Sequence, residues 1–177
     1  MSALWFVAGL VIGLLLAETR VSRRHELRLI ERGARAPSGD VYGLMAWMYP
    51  LGFVAMMAEG FWRASLAGGG SGPSWFASGL VMFAAAKGLK YWTIGSLGDR
   101  WSFRVFIEPG RPLVTAGPYR YVAHPNYVAV VGELLGVALM FRAAISGPVV
   151  LVLFGGLLWA RIRFEERVLG EAGLWKQ

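Results

Sequence analysis

Five long apolar stretches, set apart by short arginine-rich or glycine-rich segments, leave few folds open to this chain. A backbone running through hydrocarbon has no water to bond, so it must satisfy its own N–H and C=O groups as helices or as a closed barrel. The stretches are continuous rather than alternating, and many are long enough to cross a bilayer, which selects helices. Composition agrees: 56% of the residues are hydrophobic and only 16% charged, where a soluble domain carries about a quarter. The expectation is an all-α integral membrane protein of about five transmembrane helices, forming a single membrane domain over residues 1–177.

The first stretch, Ala3 to Ala17, has no basic segment before it and no small-residue cleavage site after it, so it reads as a retained helix rather than a signal peptide. Gly9 and Gly13 in it form a small-xxx-small pair suited to close helix packing. Glu18 to Asp40 follows, holding Arg20, Arg23, Arg24, Arg28, Arg32 and Arg35. Leu27, Leu29 and Ile30 among them suggest a helical extension at the membrane surface. A second span covers Val41 to Trp62, with a kink expected at Pro50, and Ala67 to Pro73 reads as a turn. A third covers Ser74 to Leu97, where Lys87 and Lys90 share a helical face and are expected to snorkel to the interface. Gly98 to Ala123 is neither helical nor alternating, and is expected to be an ordered loop. The fourth span runs from His124-Pro125 to Phe141, and the fifth from Pro148 to Ala160 with a helical continuation beyond it.

Six arginines in the first connection, four in the loop and four Lys or Arg after Ala160 contrast with Arg63 and Arg142 on the other side. By the positive-inside bias the N-terminus lies outside, and the loop and C-terminus are cytoplasmic. The same bias accounts for the net charge of +7, and no nucleic-acid recognition motif accompanies it. Cysteine is absent and the two histidines are far apart, so no metal site is expected. The Ala-, Gly-, Val- and Arg-rich composition points to a high-GC bacterium, and hence to an inner membrane.

Two polar clusters fall on the cytoplasmic side, PLVTAGPYRYVAHPNY (Pro112 to Tyr127) and RIRFEE (Arg161 to Glu166). The fourth helix begins at the first and the fifth ends at the second, so their antiparallel hairpin brings both to one membrane level. Tyr119, Tyr121 and Tyr127 supply aromatic faces. Arg161 and Arg163 suit a carboxylate, and Glu165 and Glu166 suit an ammonium group. S-adenosylmethionine, zwitterionic with a sulfonium and an adenine, matches that set. Glu133, about two turns into the fourth helix, is either a catalytic group or a structural partner of Lys87 or Lys90. Glu59 reads as interfacial.

The order of these motifs resembles the isoprenylcysteine carboxyl methyltransferase family, whose pattern is approximately L-V-T-x-G-x-Y, then R-H-P-x-Y, then R-x-R-x-E-E after one helical hairpin. The resemblance runs from about Gly98 to the C-terminus, with residues 1–97 as scaffold and lipid-substrate side. It implies methyl transfer from S-adenosylmethionine to an oxygen, carboxylate or phenol, of a lipophilic or prenylated acceptor arriving from the bilayer. Carried over by position, the cofactor contacts fall on Pro112, Leu113, Val114, Tyr119, His124, Pro125, Asn126, Tyr127 and Glu165, with Arg161 on the substrate side. Ala123 departs from the family's usual Arg, leaving Arg120 or Arg163 to substitute. The alternatives are an NADPH-dependent membrane reductase, which shares an H-P-N-Y-like motif, and a non-catalytic protein retaining the fold.

Overall fold

Hydrophobic side chains face outward along most of the molecule. In the computed structural model, which describes residues 2–66, 73–108 and 110–173, Phe6, Trp47 and Val152 are each more than 70% exposed. Such an exterior is unfavourable in water and normal against lipid tails. The described residues form five helices and no strand: α1 (Ser2–Glu31), α2 (Tyr42–Leu66), α3 (Pro73–Leu97), α4 (Pro125–Met140) and α5 (Ser146–Glu171). Three of them, α1, α2 and α5, are long and apolar enough to cross a membrane, and α4 is a shorter apolar helix. The Ala67 to Pro73 turn read from the sequence lies largely outside the described residues.

The helices meet on an apolar core that includes Val7, Phe53, Met56, Phe83, Val137 and Phe154. The closest pair is α3 with α4, and glycine makes it possible. A Cβ at Gly136 would lie 2.8 Å from the Phe83 nitrogen and 2.9 Å from the Gly79 carbonyl, and one at Gly79 would lie 2.6 Å from the Met140 nitrogen. Gly132 approaches Ala86 in the same way. Gly9 and Gly13, by contrast, have nothing within 4 Å of where a Cβ would stand. The spacing that marks close packing is met on α4 and not on α1, because the face carrying Gly9 and Gly13 points away from the bundle.

Four helices are also joined by a buried ionic cluster. Lys87 and Lys90 of α3 lie between Glu18 of α1 and Glu133 of α4. Lys87 bonds Glu18 and stands 3.1 Å from Glu133, and Lys90 is 2.7 Å from Glu133 and 3.2 Å from Glu18. The Tyr49 hydroxyl of α2 donates to Glu133. None of the four charged residues is more than 8% exposed. The expected snorkelling of the lysines is therefore corrected: two carboxylates from distant helices compensate them internally, and reaching for water is unnecessary.

Elements with polar surfaces gather at one end. The arginine-rich segment begins as the helical extension its sequence suggested, the unbroken second half of α1, with Leu29 and Ser22 buried beneath the loop that follows α3. That loop is ordered, as its sequence suggested. It carries 3-10 turns at Gly98–Arg100 and Gly117–Arg120 and the buried Trp101. The Phe103 N–H donates to Ser22 Oγ (2.8 Å), and Arg35 exchanges backbone hydrogen bonds with Ile107 (3.0 and 2.9 Å). Arg32 pairs with Asp99 and holds that carboxyl below its usual range, chiefly through their hydrogen bond. α2 continues through Pro50 as one helix.

At the opposite end, Glu59 of α2 caps α5. Its carboxylate accepts from the backbone nitrogens of Ile145 (3.1 Å) and Ser146 (2.7 Å) and from Ser146 Oγ (2.6 Å). These are otherwise unpaired donors of the first helical turn.

Gly136→Val should destabilise the protein by about 1–3 kcal/mol through overpacking, while Gly9→Ala should leave thermal unfolding in detergent unchanged. Lys87→Met, which leaves two carboxylates sharing one ammonium, should cost about 3–5 kcal/mol. Adding Glu133→Gln should recover part of that loss, and a double variant as unstable as the summed single variants would contradict the charge-balance account.

Candidate active site

The start of α4 is fixed by its sequence. Pro125 occupies the first helical turn, where its missing N–H costs nothing, and His124 is the residue before it. From that turn Tyr127 reaches α5. Its hydroxyl donates to Glu165 Oε2 (2.6 Å) and accepts from Arg161 Nε (2.9 Å). The His124 ring stacks on the Tyr127 ring, with centroids 5.4 Å apart and planes 17° off parallel. Its nitrogens face Glu166 at 3.4 Å and Glu165 at 3.8 Å. The two sequence clusters thus meet in one hydrogen-bonded group, as the hairpin geometry requires.

Arg161, only 4% exposed, is held from several sides. Besides Tyr127, its Nη1 bonds both oxygens of Asp40 at 3.1 Å, and its Nη2 donates to the Phe103 carbonyl. Asp40 is itself fixed by the Tyr42 N–H at 3.1 Å. The connection between α1 and α2, the long loop, α4 and α5 therefore converge on one guanidinium.

Beside this group lies a cavity of about 770 Å³, within the range of about 300–1,000 Å³ usual for small-molecule sites. Pro112, Leu113, Val114, Tyr119, His124, Asn126, Tyr127, Arg161 and Glu165 all line it. Burial, with Glu165 acting in the same direction, pushes the Tyr119 phenol well above its usual pKa, so it stays protonated and can donate. Much of the remaining wall is apolar, formed by Leu15, Met45, Trp47, Pro50, Phe154 and Leu158, with Tyr49 and Lys90 among its polar members. Pro50 has no N–H to give the Ala46 carbonyl, and both residues line the cavity.

Five of the residues singled out from the sequence stand elsewhere, among them Tyr121, which is exposed beside Trp92. Pro125 is buried under the helix start and is not part of the lining. Glu166 touches the cluster through His124 only from outside the cavity. Arg163 is on the exposed face of α5 with its guanidinium 5.3 Å from the Trp159 ring centre; residues two apart on a helix, such as Arg161 and Arg163, do not face the same way. Glu133 lies behind Tyr49 and Lys90, which do line the cavity. Neither Arg120 nor Arg163 replaces the arginine absent at Ala123; Arg100, Arg104 and Arg111 of the loop line the cavity instead.

Sequence reasoning missed Asp40, Trp101, Phe103, Tyr49 and Lys90 as parts of this region. Asp40 carried a weak signal as a helix-capping residue type just before α2, but nothing local tied it to Arg161, 121 residues away.

Chemically, the arrangement offers a carboxylate flanked by aromatic rings, cations on the loop side, and an apolar chamber continuous with both. A sequence model of the isoprenylcysteine carboxyl methyltransferase (ICMT) family matches residues 79–171, from within α3 to the end of α5. An uncharacterized protein of Bacillus subtilis, YpbQ, is 29% identical over 167 residues, covering 94% of this chain and 96% of that protein. An uncharacterized protein of Haemophilus influenzae is 28% identical over 92 residues, 51% of this chain and 54% of that protein. No solved structure matches the chain. The family match spans the α4–α5 hairpin and all but a few of the residues gathered at its polar end, and with it the chain belongs to the isoprenylcysteine carboxyl methyltransferase family of membrane proteins.

Proposed function

We propose that this protein transfers a methyl group from S-adenosylmethionine to an oxygen of a lipophilic acceptor, in a cavity open to both. The observation that carries the reading is the single cavity whose wall joins the Tyr127–Glu165–His124 group to an apolar chamber. The donor set suits the cofactor: Glu165 for its ammonium, Arg100 or Arg111 for its carboxylate, ring faces for its sulfonium, and Pro112, Leu113 and Val114 for its adenine. When bound, it supplies an already activated methyl group.

The protein's own residues then have a restricted task. Tyr127 holds Glu165 by a hydrogen bond and is itself held by Arg161, so that the ligand's orientation is set before the acceptor arrives. The loop covers the cavity and limits water. Leu15, Met45, Trp47 and Pro50 give an alkyl or isoprenoid chain an apolar path, so the acceptor enters from the bilayer. The positive-inside rule places the polar end in the cytoplasm and the N-terminus outside, with five helices crossing the membrane. In this reading residues 1–97 serve the acceptor and 98–177 the cofactor.

Titration of the detergent-purified protein with S-adenosylhomocysteine is expected to give micromolar binding, while NADPH gives none. Glu165→Ala should weaken it about tenfold or more, the worth of one charge-assisted hydrogen bond. Binding of NADPH in place of S-adenosylhomocysteine would move the protein to the reductases, and binding of neither would leave a non-catalytic role.

A further inference from the structure

The cavity does not end in hydrocarbon. At the level of Glu133, about 9 Å further along α4 than Tyr127, its wall includes Tyr49 and Lys90, both buried. The groups around them come from every neighbouring helix: Glu18 from α1, Lys87 from α3 and Glu133 from α4, while α5 contributes the Phe154 ring, 5.3 Å from that of Tyr49. Two carboxylates and two ammonium groups balance formally, and the Tyr49 hydroxyl is the neutral member. It donates to Glu133 and lies 3.5 Å from Lys90 Nζ. The core of a membrane protein rarely places an ionisable cluster on a cavity wall without a use for it.

The other buried cation on that wall is already committed. Arg161 spends Nε on Tyr127, Nη1 on Asp40 and Nη2 on the Phe103 carbonyl. A carboxylate acceptor would have to displace Asp40 to pair with it. A hydroxyl acceptor needs no free cation at the outset, but it does need somewhere to send a proton, since a phenol has a pKa of about 10. The Tyr49–Glu133 hydrogen bond provides that path.

We propose that Tyr49 is a catalytic residue that takes the proton of a phenol-type hydroxyl on the acceptor and passes its own to Glu133, with Lys90 facing the oxyanion. The proposal rests on the methyltransferase reading and narrows its substrate class. The acceptor O–H bond breaks, its proton goes to the Tyr49 oxygen, and the Tyr49 proton goes to Glu133 Oε2. The electron pair left on the acceptor oxygen forms the new O–CH3 bond as the methyl–sulfur bond breaks, and that bond's pair stays on sulfur as a neutral thioether. After product leaves, the proton on Glu133 returns to solvent through the same hydroxyl.

The test uses the full chain in micelles with a long-chain alkyl nitrophenol, whose anion absorbs in the visible, at a pH where the probe in empty micelles is mostly protonated. The wild-type protein should bind the probe as its anion. Tyr49→Phe, which leaves the charges balanced, should reduce the anion band about tenfold, the worth of a hydrogen bond to a charged group. The charge-balanced double variant Lys87→Met/Glu133→Gln should reduce it as well, and both should keep their affinity for S-adenosylhomocysteine. In turnover, transfer to an alkylphenol should be lost in Tyr49→Phe, and a prenylated N-acetylcysteine should not be methylated by either form. A wild-type protein without the anion band, a band unchanged by Tyr49→Phe, or methylation of the carboxylate probe would overturn the proposal. The probe titration needs no cofactor, so it reads Tyr49 even if S-adenosylhomocysteine fails to bind and the broader reading falls.

Discussion

An apolar bundle cannot tolerate a buried charge without a partner, and here, besides Arg161, four buried charges between the helices compensate one another. Glu18, Lys87, Lys90 and Glu133 are acceptable only together, because removing any one leaves an uncompensated charge worth several kcal/mol. Such a cluster adds little net stability over a packed apolar equivalent, yet it discriminates sharply between packings. A helix rotated or shifted by one turn would break at least one pair. The cluster therefore fixes the registers of α1, α3 and α4 against one another, and Tyr49 adds α2 through its bond to Glu133.

Glycine works alongside charge in that arrangement. Lys87 and Lys90 meet Glu133 at short range because α3 and α4 approach within backbone contact at Gly79, Gly132 and Gly136. With bulkier residues there, the helices would stand further apart and the ion pairs would open. Close approach in lipid depends on such contacts, since hydrocarbon gives no hydrophobic push between helices. α5 is positioned differently, by the Glu59 cap at one end and the Arg161 hub at the other. The cavity lies among residues of α1, α2, α3, α4 and α5, and the loop closes its polar end through Trp101, Phe103 and Arg35.

Much of this was legible in the chain. The apolar stretches gave five helices, and the hairpin between the two polar motifs required the segments Pro112 to Tyr127 and Arg161 to Glu166 to lie at one level. Other parts were not legible. The pairing of Lys87 and Lys90 with Glu133 was open in the sequence, but the two lysines looked like interfacial anchors because Glu18, their other partner, is about seventy residues away and sits at the edge of an arginine-rich segment. Gly9 and Gly13 have the spacing of a packing motif but face outward, and Arg163 shares a motif with Arg161 and faces lipid or solvent. In each case the residue type was informative and the face it occupies was not.

The sequence by itself determined that the chain is helical and membrane-embedded, where each helix runs, and which two segments meet, because hydropathy and chain connectivity are local properties. The tertiary structure decided which charges are buried, that Asp40 holds Arg161, and that Tyr49 and Lys90 reach the cavity. Those outcomes depend on helix rotation and separation, which follow from close contacts between residues far apart in the chain and leave no periodic trace in it.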